Sequence, residues 1–267
     1  MVSRRFRTEV NPMPGLPLPP ENAYGHTKKL RFILDALDRQ RARKGGPIRV
    51  LDFGCGNGAA VTQYLAAPDI ELHAVDIHSP SLDYAKSHFG SDKVRFHSSV
   101  PPDLVFDAIV YADVLEHLDV PVDTLRAHVR QLAPDGVIVG AIPNGYGPFE
   151  IEHKLERAFH LQRAVYKLGL LRRWLRGQSA AGSAASAELP YNHESGHLTF
   201  FSKANLQRTL AKAGLAMQRF GHGSLFCGPW STPLVSGRLS GVNVRAADRL
   251  PYWAVSVWYF EARRAAA

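Results

Sequence analysis

An α/β fold built on a mostly parallel sheet is the class this sequence predicts, on three observations. Short apolar runs alternate with helical segments from residue 48 to 144, which lays strands side by side with helices on both faces. The first run, Ile48 to Leu51, ends in Asp52 and opens into Gly54, Gly56 and Gly58. The next ends in Asp76, 22 residues past Gly54, close to the spacing at which a carboxylate accepts ribose hydroxyls.

Each element has its own signal. Residues 1–22 are rich in proline and basic side chains and show no period, so 1–26 reads as an N-terminal arm. Leu30, Ile33, Leu34 and Leu37 recur at i, i+3, i+4 and i+7. That predicts an amphipathic helix over 27–44, stopped by Gly45-Gly46-Pro47. A helix from Ala59 to Ala66 is expected behind the glycine loop. Glu71 to Asp76 reads as a second strand. Ser79-Pro80 supplies an N-cap and a first-turn proline for a helix from Ser81 to His88. Lys93 to Ser99 is a third strand, and Asp107 to Asp113 a fourth, followed by Val114-Leu115-Glu116-His117. Leu132 to Gly136 is a turn into a fifth strand, Val137 to Ile142, closed by Pro143-Asn144.

The pattern changes after Asn144. Residues 145–197 are too long for an ordinary link. Within them 149–176 reads as helical, with Leu161, Ala164, Val165, Leu168, Leu171 and Leu175 on one face. Lys154, Arg157, Arg163, Lys167, Arg172, Arg173 and Arg176 share this stretch, and Arg172 interrupts the apolar stripe. Gln178 to Glu188 reads as a flexible linker. The core resumes near His197. Ser202 caps a helix from Lys203 to Ala213, closed by Gly214. Ala216 to Cys227 and Val255 to Arg263 read as strands, and Pro229 to Pro251 as a long loop on the rim.

Composition sets outer bounds. At 267 residues the chain holds one substantial domain. Cys55 and Cys227 make neither a disulfide framework nor a metal cluster, which suits a reducing compartment. Basic residues at the start precede no apolar signal region, and the longest late apolar run, Tyr252 to Phe260, is far short of the about 20 residues of a membrane span. The expected location is cytoplasmic. The net charge of +8 permits an acidic partner, nucleic acid or an anionic membrane surface, and equally serves solubility. Neither zinc-ligand spacing nor a nucleophilic serine elbow is present.

The glycine spacing separates two chemistries. Dinucleotide loops read G-x-G-x-x-G, with a pyrophosphate on the helix N-terminus. Here the third glycine comes one residue early and Asp52 precedes the first. An acid there repels phosphate and suits a cationic amine. The pattern D-x-G-x-G-x-G, followed in order by D-V-L-E-H (113–117), L-x-P-x-G (132–136) and I-P-N (142–144), resembles the class I S-adenosylmethionine-dependent methyltransferases. Within them it looks like the small-molecule branch that includes the quinone O-methyltransferases. The likeness covers roughly 48–144 and 197–264.

That resemblance implies a Rossmann-like, seven-stranded, mostly parallel sheet whose last strand is antiparallel. It implies a core over 27–144 and 198–267 and a helical lid over 145–197. The implied cofactor is S-adenosyl-L-methionine, leaving as S-adenosyl-L-homocysteine. Its contacts would come from Asp52, Gly54, Cys55, Gly56, Gly58, Asp76, Ile77 and Asp113, with Ser98 and Ser99 at the adenine edge; Cys55 reads as a small filler, not a nucleophile. The implied reaction is methyl transfer to a small-molecule or lipid-like acceptor, at oxygen. Carbon or nitrogen methylation and a non-catalytic cofactor-binding subunit are the alternatives. A nucleobase methyltransferase carries a D/N-P-P-Y/F/W box after the fourth strand. Here that place reads Asp113-Val114-Leu115-Glu116, so no nucleic-acid substrate is expected.

The acceptor site should lie at the C-terminal edge of the sheet, where Asp113, Glu116, His117, Asn144 and His197 fall. Imidazoles as a class serve as general bases, which is one reading of His197, in Gly196-His197-Leu198-Thr199-Phe200-Phe201-Ser202; the other reading is a structural histidine. His117 lines the same pocket. His193 is a weaker candidate, and His153, His160 and His222 are expected at the surface. Were a helix to start at Asp113, then Asp113, Glu116 and His117 would share a face. Some quinone O-methyltransferases place a metal at such a segment and many relatives do without; no metal is expected here. The 149–176 segment has two readings, a pocket cover and a peripheral contact with a membrane.

Overall fold

The structure is a computed structural model describing residues 16–159, 190 and 196–265. Seven strands form one sheet: β1 Ile48–Phe53, β2 Ile70–Val75, β3 Val94–His97, β4 Phe106–Ala112, β5 Leu132–Pro143, β6 Leu215–His222 and β7 Val257–Arg264, in the order β3-β2-β1-β4-β5-β7-β6. Pairing is parallel from β3 to β5. Only β7 is reversed, antiparallel to both β5 and β6. The order turns back between β1 and β4, and in open α/β sheets the crevice above such a switch point takes the ligand.

Strand alternation builds two cores from one sheet. Val50, Val110 and Val139 join Leu30, Ile33, Leu34 and Leu37 of α1 (His26–Lys44) on one face. Leu51, Ile109 and Ile138 face the other way, onto Leu125 of α4 (Pro121–Arg130) and Leu206 and Leu210 of α6 (Lys203–Lys212). α2 (Thr62–Leu65), α3 (Ser79–Phe89) and α5 (Pro148–Phe159) complete the first half of the chain.

Several expectations are corrected. α2 is one short turn, not Ala59 to Ala66, because Asn57 Oδ1 takes the Ala59 N–H and the chain stays in turns up to it. α3 begins at Ser79, which is therefore helical, not the cap; His78 precedes it, its N–H held by Asp76. β5 starts at Leu132: residues 133–136 bulge while the register with β4 moves from Phe106↔Leu132 to Ala108↔Val137. β6 ends at His222, short of Cys227. The rim segment is not a bare loop; it holds α7 (Thr232–Val235) and α8 (Ser240–Ala247). Asn243 fixes α8, donating to the carbonyls of Ala23 and Phe226 at 3.1 and 2.8 Å.

The end of the arm is docked. Glu21 accepts the N–H groups of Thr27 and Lys28 at 3.0 and 3.1 Å, capping α1 from outside, and Ala23 is buried. The stripe from Leu161 to Leu175, the linker from Gln178 to Glu188, the basic residues from Arg163 to Arg176, His160 and His193 lie outside the described residues. Among the described residues no helix is long and apolar enough to cross a membrane.

Candidate active site

The glycine loop leaves β1 with Gly54, Gly56 and Gly58 all left-handed, at φ 77°, 56° and 75°. Only glycine adopts that backbone without strain, but the three positions differ. A Cβ on Gly54 would meet Val114 Cγ2 at 2.6 Å, and one on Gly58 would meet Phe89 Cδ2 at 2.9 Å. At Gly56 nothing lies within 4 Å. Gly54 and Gly58 thus let the backbone pack inward, while Gly56 faces open space.

Asp76 is tied to this loop. Its carboxylate accepts the Gly56 N–H at 2.7 Å and the His78 N–H at 2.8 Å. Ile77 beside it is 87% exposed, so it has no core role. Ser98 and Ser99 are exposed at the bend beyond β3. Asp52 lies beneath the loop, 1% exposed, accepting from Thr62 Oγ1 at 2.7 Å. Burial raises its carboxyl to about 6; the Thr62 bond opposes the rise and the charge of Asp76 adds to it. Cys55 is buried and its thiol is pushed far up by that burial, which makes it inert packing.

Asp113 does not start a helix. It is the one non-glycine residue with positive φ among the described residues, at 58°, and its side chain pairs with Lys29. The helical face expected of Asp113, Glu116 and His117 is therefore not formed; a 3-10 turn, Leu115–His117, follows instead. Lys29 escaped the sequence reading. Its faint signal is a first turn of α1 with no acid and several cations, unfavourable by itself for the helix dipole.

Beyond β4, Glu116 is 1% exposed, and its Oε2 has no hydrogen-bond partner among the described residues. Burial first, and then the charge of Asp113, raise its carboxyl well above the usual carboxylate range. Its backbone carbonyl accepts the N–H groups of Leu198 and Thr199 at 2.8 and 3.0 Å, which staples the returning segment to the turn. His117 Nδ1 lies 3.0 Å from the Gly196 carbonyl, so that nitrogen donates. Burial pulls the His117 imidazole below its ordinary value; the bond to Gly196 opposes this, while the neighbouring His197 lowers it further.

His197 packs edge-on to His117 with ring centroids 5.0 Å apart. Its Nδ1 lies 2.7 Å from Oε1 of Glu150, a carboxylate 3% exposed on the first turn of α5. Spacing gave no hint of Glu150, which lies 47 residues away in the chain. Asn144 is structural: its side-chain amide donates to the carbonyls of Trp253 and Val255. His153 and His222 are half-buried, not free at the surface; His153 lies 4.4 Å from the Phe149 ring and His222 bonds to the Ala247 carbonyl.

Donor atoms of Glu116, His117 and His197 lie within 4.8 Å of one another. The set of Asp113, Glu116 and His117 is not assembled as one, since Asp113 pairs with Lys29. The loop does fit a nucleoside cofactor. Gly56 offers open backbone, and Asp76 stands beside it.

Comparisons agree with this geometry. Residues 24–219 match a family described as methyltransferase domain. The chain is 28% identical over 113 residues to a ubiquinone biosynthesis O-methyltransferase of Aromatoleum aromaticum, covering 39% of this chain and 47% of the relative. It is 30% identical over 123 residues to the mitochondrial ubiquinone biosynthesis O-methyltransferase of Schizosaccharomyces pombe, covering 43% and 44%. The matched stretch thus spans about half the length of these relatives. In fold it is similar to the N-methyltransferase NodS of Bradyrhizobium japonicum in complex with S-adenosyl-L-homocysteine, at 15% identity and a TM-score of 0.52, covering 92% of this chain and 90% of that one. Sheet order, glycine loop and matched residues together place the chain in the methyltransferase-domain family, with the class I S-adenosylmethionine-dependent fold.

Proposed function

We propose that this chain methylates a hydroxyl of a small-molecule or lipid-like acceptor, using S-adenosylmethionine and His197 as general base. The observation that carries the reading is the buried Glu150 carboxylate on His197 Nδ1, which leaves Nε2 to take a proton. The O-methyltransferase relatives support oxygen as the acceptor atom. The cofactor supplies an activated methyl on a sulfonium, so the protein's work is positioning and proton removal. Gly54, Cys55, Gly56 and Gly58 present the loop, Asp76 the ribose acid, Ile77 an apolar cover, and Ser98 and Ser99 the far edge. Asp52 and Asp113 supply negative charge below and beside the loop, with Lys29 as counter-ion. His117 and the buried Glu116 line the acceptor side. No metal is required.

Release of S-adenosylhomocysteine with a panel of catechols, phenols and amines tests the reading and separates an enzyme from a cofactor-binding subunit. His197→Ala should lower kcat by about 10²–10⁴ with cofactor affinity kept. A fall below about threefold, or turnover of amines alone, overturns it.

Residues 145–197 serve in this reading as a lid over the acceptor. A specific observation favours a second reading, peripheral membrane contact through 149–176. Ile151, Leu155 and Phe159 are exposed at i, i+4 and i+8 on α5, with Arg157 exposed among them. That is the pattern of an interfacial helix. Flotation with anionic liposomes at physiological salt, compared with neutral ones, decides between the two.

A further inference from the structure

We propose that Glu150 is the positioning residue of the base: it fixes the His197 tautomer and balances the imidazolium. The inference rests on the reading of His197 as base.

An ionised carboxylate only accepts hydrogen bonds. Glu150 Oε1, 2.7 Å from His197 Nδ1, therefore fixes the proton on Nδ1 and leaves the Nε2 lone pair bare. In the step proposed, the acceptor O–H bond breaks, an N–H bond forms at Nε2, and the oxygen's electron pair makes the new C–O bond as the methyl–sulfur bond breaks, its pair staying on the sulfur of the departing S-adenosylhomocysteine. His197 carries the positive charge until solvent takes the proton, and Glu150 stays ionised beside it. An orienting carboxylate behind a histidine is the same physical device that sets imidazole direction and basicity at other sites.

Glu150 is rigid enough for this. It is 3% exposed and sits in the first turn of α5. Neighbours on both sides are pinned. Phe149 N–H donates to Ser256 Oγ at 3.2 Å, and Glu152 Oε2 accepts the N–H groups of Trp230 and Ser231 at 3.0 and 2.9 Å. Glu156 takes Trp230 Nε1 at 2.7 Å. On the other side, Leu198 and Thr199 are held by the Glu116 carbonyl. The dyad thus bridges the two ends of the 145–197 segment, one partner on its first helix and the other where it returns. The charged and titratable groups facing His197 are Glu150 and His153 on α5 and Glu116 and His117 after β4. Of these Glu150 alone bonds its ring.

The test is nitrogen NMR on the full chain labelled with ¹⁵N-histidine, with His197→Ala to assign the ring. The wild-type ring should be the Nδ1–H tautomer. Glu150→Gln keeps an acceptor oxygen but no charge, so the tautomer should persist while the ring titrates at lower pH. Glu150→Ala should lose the tautomer preference. With a catechol as probe, kcat should fall at least about tenfold in Glu150→Gln and further in Glu150→Ala, with S-adenosylmethionine affinity unchanged. An unchanged tautomer in Glu150→Ala, or an unchanged titration in Glu150→Gln should the alanine variant fail to fold, overturns the proposal. If both NMR signatures move while His197→Ala still turns over, Glu150 positions the ring but the base lies elsewhere.

Discussion

Burying Asp52 under the glycine loop leaves a carboxyl that ionises only near about 6, against 3.8 in the unfolded chain. A raised folded value means that its contribution to stability is fully present below 3.8 and is lost as pH rises through about 6. Asp52→Asn keeps an oxygen for Thr62 and removes this loss. It should stabilise the protein by on the order of 2 kcal/mol at about pH 8, with no gain below about pH 4. Thermal melts at both pH values check this; an equal gain at both would show another cause. The glycines separate fold from binding. Gly54→Ala adds a collision with Val114 to the strain of its positive φ and should lower the melting temperature more than Gly56→Ala, which bears that strain alone and should also lower cofactor affinity. Asp76→Ala should weaken S-adenosylmethionine binding at least about tenfold by calorimetry, through loss of charge-assisted bonds. Unchanged affinity would remove Asp76 from the ribose. The loop residues and Asp76 were legible because backbone geometry demands their types. Lys29 and Glu150 were not, since each meets its partner only through tertiary folding.

At the scale of elements, what could be read followed period and punctuation. The α1 stripe and the Ser202 cap show it: Ser202 Oγ accepts the Asn205 N–H at 3.1 Å. Ser202→Ala should destabilise the protein by about 1 kcal/mol, visible in denaturant midpoints. What could not be read was decided by contacts distant in sequence. α8 exists because Asn243 reaches Ala23 and Phe226, and its short run carries too few large apolar residues to announce a helix. Asp113 defeats the helical spacing of D-V-L-E-H because Lys29 and the Ala141 carbonyl hold it left-handed, a conformation that costs about 1–2 kcal/mol without such support. The expectation of no metal is tested by chelation. Activity should survive chelation by EDTA followed by desalting. If it falls and returns with magnesium or zinc, the cluster of Glu116, His117 and His197 has another role.

For the whole molecule, one edge of a single sheet brings together the glycine loop and the Glu116 turn that holds residues 198 and 199. Pro190 lies against this edge. Its carbonyl accepts from Asn57 of the loop at 3.0 Å and from Ser81 of α3 at 3.1 Å. Deleting 149–190 should remove turnover while weakening cofactor binding by no more than the loss of these two bonds, measured by S-adenosylhomocysteine release and by calorimetry; full turnover would mean that the segment is no lid. The reversed strand has a further consequence, in time. β7 lies between β5 and β6 in space yet follows both along the chain. While the chain is being synthesised, β5 and β6 emerge first and wait with unpaired edges, the condition that invites strand pairing between molecules. The sheet closes only when residues 257–264 slide between them, so the native fold is completed by its last-made strand.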